Sequence, residues 1–115
     1  MTLTQISLAA FVAVASGGLL LASLIALKKR IPAFLATAHG LGGLAALALL
    51  FTAALRGQEA TPALTWWALV VLLSGFVGGM LLFRVVFRHR ATLPLAALHG
   101  GIGAVGIYLL YRVAI

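Results

Sequence analysis

The stretch Ile31–Leu55, IPAFLATAHGLGGLAALALLFTAAL, contains no Lys, Arg, Asp or Glu and carries one histidine, His39. About 20 apolar residues cross a bilayer as a helix, and without water in the hydrocarbon core the backbone must satisfy its own hydrogen bonds. The stretch therefore reads as a transmembrane helix. Three more uncharged runs of similar length lie outside it, at about Leu3–Leu27, Leu64–Phe83 and Ala91–Tyr111. The fold expected is an all-α membrane protein of four transmembrane helices.

Composition agrees. Of 115 residues, 64% are hydrophobic and 8% charged, with a mean hydropathy of +1.24. A soluble domain is about half apolar and about a quarter charged. The chain has no cysteine, which excludes disulfides, thiolate metal sites and cysteine nucleophiles. The net charge of +7 comes from residues flanking the apolar runs, which points to headgroups and membrane orientation and not to nucleic acid. The first apolar run has no positive region before it, so it reads as a span and not as a cleavable signal. Lys28, Lys29 and Arg30 lie between the first two spans, and Arg84, Arg88 and Arg90 between the last two. The other side has Arg56, Arg112 and the only acid, Glu59. The positive-inside rule then predicts cytoplasmic basic turns, with both termini and the Arg56–Thr65 loop outside a bacterial inner membrane. Trp66, Trp67, Tyr108 and Tyr111 fall at the outer interface, as an aromatic belt would.

The chain repeats itself. At an offset of 60, Gly18 falls on Gly78, Lys28-Lys29-Arg30 on Arg88-His89-Arg90, His39-Gly40 on His99-Gly100, and Gly43 on Gly103. The single membrane domain, residues 1–115, thus divides into a first hairpin, 1–57, and a second, 61–115. Two tandem hairpins with short turns form an up-down-up-down bundle whose second and fourth helices are diagonal and parallel. His39 and His99 then sit at equal depth, about two turns in at ~1.5 Å per residue. Neighbouring helices at roughly 8–10 Å give a diagonal of about 12–14 Å. That gap is expected to keep the imidazoles from touching and to hold a flat ring with a central metal. Ala36, Gly40 and Gly43, and Ala96, Gly100 and Gly103, share the histidine faces. Gly17, Gly18, Gly78 and Gly79 lie about a turn deeper on the opposing helices, where they would admit a planar group.

This pattern resembles the transmembrane b-type cytochromes, across the whole chain but in architecture more than in motif. The resemblance implies one heme b between the second and fourth helices. His39 and His99 would be the axial ligands, with Gly18 and Gly78 making room for the ring. It also implies cations for the propionates. Arg84 is the sharpest candidate because its repeat mate is Leu24; Lys28, Arg30, Arg88 and Arg90 are less specific. Larger members of the class bind two hemes with four helix histidines, and two histidines allow one. The expected role is electron transfer inside or beside a larger membrane complex.

Other readings use the same residues. Histidines and glycines in membrane helices also serve helix packing, worth about 1 kcal/mol per polar contact. The chain would then be a structural accessory subunit, part of a complex or a homo-oligomer. One histidine could instead ligate a chlorophyll-type pigment, and Arg84 could simply snorkel to the interface. His89 reads as a solvated turn residue, and Pro32 and Pro94 as helix starts. The spans hold no carboxylate, no catalytic triad and no phosphate loop, which leaves hydrolysis and proton-coupled export without residues. A channel would have only Thr37, Ser16, Ser23 and Ser74 to build on.

Overall fold

A computed structural model describes residues 1–86 and 92–115. Four helices form it: α1, Leu3–Ala26; α2, Ala33–Gly57; α3, Ala63–Met80; and α4, Leu93–Ala114. A short 3₁₀ turn, Gln58–Ala60, joins α2 to α3, and a π-helical segment, Leu81–Val86, extends α3. Each helix packs on the next and α4 closes back on α1, so α2 and α4 are diagonal, as the sequence predicts. Each span is long and apolar enough to cross a membrane. The long axis measures 46 Å, against about 40–45 Å for a bilayer with its headgroups. Leu19 and Phe34, each 71% exposed, face outward where lipid would lie. Arg88, His89, Arg90 and Ala91 lie outside the described residues.

Local chemistry sets the ends. Thr2 caps α1: its hydroxyl accepts from the Gln5 N–H at 3.1 Å while its own N–H donates to Gln5 Oε1 at 3.0 Å. Gln5 Nε2 also donates to the Ala114 carbonyl at 3.2 Å, which ties the start of α1 to the end of α4. The end of α1 is a Schellman turn, with Lys29 N–H on Leu24 O at 2.9 Å and Lys28 N–H on Ile25 O at 3.0 Å. That turn puts Lys28 in the left-handed region at φ 54°. Pro32 and Pro62 stand at the N-caps of α2 and α3, and Pro94 in the first turn of α4, where a missing N–H is harmless. The Ser16, Ser23, Thr52 and Ser74 hydroxyls each donate to the carbonyl four residues back. They satisfy their own helices and form no polar path.

The core occupies one half of the bundle. Phe11, Leu47, Leu50, Leu72 and Leu110 are buried together there, with Ala46 and Ala68. Among the described residues, none toward the basic turns is fully buried. The bundle is packed at the Glu59 end and open at the other.

Burial also resolves the repeat. On α2 and α4, buried Ala46 and Leu50 match buried Gly106 and Leu110 at the offset of 60. On α1 and α3, buried Ser7 and Phe11 match Ala68 and Leu72, at an offset of 61. At 61, Gly17-Gly18 falls on Gly78-Gly79. The gap-free offset of 60 therefore holds for the second helix of each hairpin and slips by one residue in the first. The connection from α3 to α4 is correspondingly one residue shorter.

Candidate functional site

His39 and His99 are each the seventh residue of their helices, α2 and α4. From diagonal corners they point inward until their ring centroids are 6.1 Å apart, with planes at 80°. The expectation that the diagonal keeps the imidazoles apart is corrected: the axes are far apart, but both side chains reach into the gap. The centroid separation lies within the about 4.5–7 Å of edge-on ring contact.

Glycine lets them do so. A Cβ on Gly18 would stand 2.9 Å from His39 Cε1, and one on Gly79 would stand 2.7 Å from His99 Cε1. Gly78, expected in that role, has nothing within 4 Å, because α3 is one residue out of register with α1. These glycines accommodate the imidazoles themselves, and not a ring between them.

The two histidines are held differently. His39 Nδ1 is 3.0 Å from the Val14 carbonyl on α1. A carbonyl only accepts, so this nitrogen carries the proton and Nε2 keeps its lone pair. Among the described residues, His99 Nδ1 is buried without a hydrogen-bond partner. Gly75 is the structural mate of Val14, but its carbonyl makes no bond to His99 Nδ1 that meets hydrogen-bond geometry. Phe83, on the π-helical segment, lies edge-on to the His99 ring at 5.8 Å.

A cavity of about 1050 Å³ surrounds the pair. His39, His99, Gly18, Gly40, Gly43, Gly100, Gly103 and Arg84 all line it; Gly79 does so in place of Gly78. A Cβ at Gly40, Gly100 or Gly103 would meet nothing within 4 Å, so these positions border open space. A Cβ on Gly43 would lie 3.6 Å from Phe76 Cδ2, so this position is packed. Small-molecule sites run to about 300–1,000 Å³, so one large ligand is in range. The other lining side chains are overwhelmingly apolar, and Arg84 is exposed toward the basic end.

The donor set narrows what this place can hold. Among the described residues, no three His, Cys, Asp or Glu side chains converge. A protein-built metal cage needs about four ligands. Two imidazoles suit a metal that arrives with its other ligands already bound, as in a tetrapyrrole. Metal–nitrogen bonds of about 2 Å on either side put two nitrogens ~4 Å apart, and ring centroids at 6.1 Å are within that reach. The bonded His39 Nδ1 is the usual outer support of a metal-binding imidazole. Val14, Gly75 and Phe83 were not legible as site residues. The Gly78-Gly79 doublet, set against Gly17-Gly18, is the signal that singles out Gly79. No protein-family model, curated protein or solved structure matches the chain.

Proposed function

We propose that this chain is a small membrane electron-transfer protein that holds one heme b between α2 and α4 through His39 and His99. The observation that carries it is the convergence of two imidazoles from diagonal helices in an apolar, glycine-bordered cavity. His39 and His99 would hold the heme, which would supply reversible one-electron chemistry and so suits electron transfer. The chain's own residues orient and insulate. The Val14 carbonyl fixes the tautomer of His39. Gly18 and Gly79 let both rings approach from the flanking helices. The apolar lining keeps water away, and Arg84 offers a cation to the carboxylates of a tetrapyrrole at the basic end.

The basic turns are assigned to the cytoplasm and both termini to the outside of a bacterial inner membrane, by the positive-inside rule. With so little of the chain outside the bilayer, the electron partner is assigned to a larger respiratory or photosynthetic assembly. The rival accessory-subunit reading draws on the edge-on histidine contact, but gives no role to the glycine-bordered cavity around the pair. Purification in mild detergent, with spectra before and after dithionite, tests the proposal. Low-spin heme bands support it, and a chlorophyll-type spectrum replaces heme by a pigment. Replacing both His39 and His99 by Ala should abolish heme binding while helicity survives; full retention in that variant sinks the proposal.

A further inference from the structure

We infer that the two histidines are unequal: His39 is the anchored ligand and His99 the exchangeable one, so the site admits a small neutral ligand on the α4 side. This rests on the heme reading and extends it, because a site that releases one imidazole can bind a diatomic such as carbon monoxide.

The asymmetry is local and has a cause. The His39 ring is fixed by its bond to Val14 at 3.0 Å. The equivalent acceptor for His99 is Gly75, and there the bond does not close. Val14 and Gly75 are mates at the offset of 61, whereas His39 and His99 are mates at 60. The slip of one residue between α3 and α4 therefore falls on the carbonyl that would hold His99. An imidazole without this support binds metal more weakly, by about 10–100-fold where such partners have been removed. There is also space for the His99 ring to leave. Gly100 and Gly103 border open cavity, and the cover is Phe83, on a π-helical segment of the kind that recurs at functional sites.

The test reconstitutes the full chain in detergent with iron protoporphyrin IX and compares wild type with His39→Gly and His99→Gly by absorption. His99→Gly should retain heme, lose its low-spin spectrum and regain it with added imidazole. His39→Gly should bind heme at least about tenfold more weakly. Reduced wild type should take up carbon monoxide with a shifted Soret band. Equal retention by both variants, or better retention by His39→Gly, overturns the inequality and leaves the heme reading intact. A reduced wild type inert to carbon monoxide also overturns it. This last measurement needs no variant to fold. A wild type that binds no heme removes the heme reading, and this inference with it.

Discussion

Gly78 and Gly79 are chemically identical neighbours in opposite situations. A methyl group on Gly79 would lie 2.7 Å from His99 Cε1 and 3.0 Å from Nδ1, whereas one on Gly78 would meet nothing within 4 Å. Gly79→Ala should therefore push the His99 imidazole out of the cavity, so that bound heme is retained but loses its low-spin spectrum, as in His99→Gly. Gly78→Ala should change the spectrum hardly at all. Heme titration followed at the Soret band separates the two, and equal behaviour would disprove the register assigned to α3. The histidines themselves were legible because an ionisable group is conspicuous in an apolar run. Their supports were not. A backbone carbonyl such as that of Val14 carries no sequence signature, and Phe83 is one aromatic among many apolar residues.

The spans were legible at the scale of elements, because hydrocarbon thickness and backbone satisfaction leave few alternatives to long apolar helices. The register was not. Histidine, glycine and basic turn all matched at an offset of 60, and only the displaced glycine doublet betrayed the slip to 61. The slip also exchanges small for large at the hairpin contacts. Gly42 faces Val14, with 3.1 Å from its would-be Cβ to Cγ2, while their mates Ile102 and Gly75 meet with the glycine on the other helix, at 3.3 Å. Close packing of α3 on α4 continues at Gly106, where a Cβ would stand 2.5 Å from Leu72 Cγ and 3.4 Å from the Leu72 backbone nitrogen. Gly106→Ala should force the helices apart and destabilise the bundle by about 1–3 kcal/mol, the range for overpacking. Thermal unfolding in detergent measures this. Lys28→Gly should act oppositely. Lys28 holds a left-handed conformation at φ 54° in the Schellman turn, which glycine adopts without the Cβ clash. Relief of about 1–2 kcal/mol, partly offset by glycine's freedom in the unfolded chain, should raise the melting temperature modestly.

The whole molecule is polarised. Packing concentrates at the Glu59 end, where the Gln58–Ala60 turn and the Thr61 hydroxyl bond to Ala54 O close the bundle, while the histidines lie toward the basic turns and the cavity runs from that end inward as far as Tyr111. The aromatic residues are polarised too. Trp66 stacks edge-on with Phe51 at 6.5 Å, and Arg112 donates to the Tyr108 hydroxyl at 3.2 Å, all at the closed end. Such pairs belong at a headgroup boundary, where one end of the side chain is wet. On the heme proposal, with the basic end cytoplasmic, electrons would enter and leave a heme held by the histidine pair from that side, and the closed end would insulate it from the other. The absence of native cysteine makes this directly testable. Lys29 and Ala60 are both exposed and sit at opposite ends of the bundle. In intact right-side-out membranes, a membrane-impermeant maleimide should label Ala60→Cys and leave Lys29→Cys unmodified until the membrane is permeabilised. The reverse pattern would put the histidines near the outer face, and the electron partner would then have to be sought outside the cell.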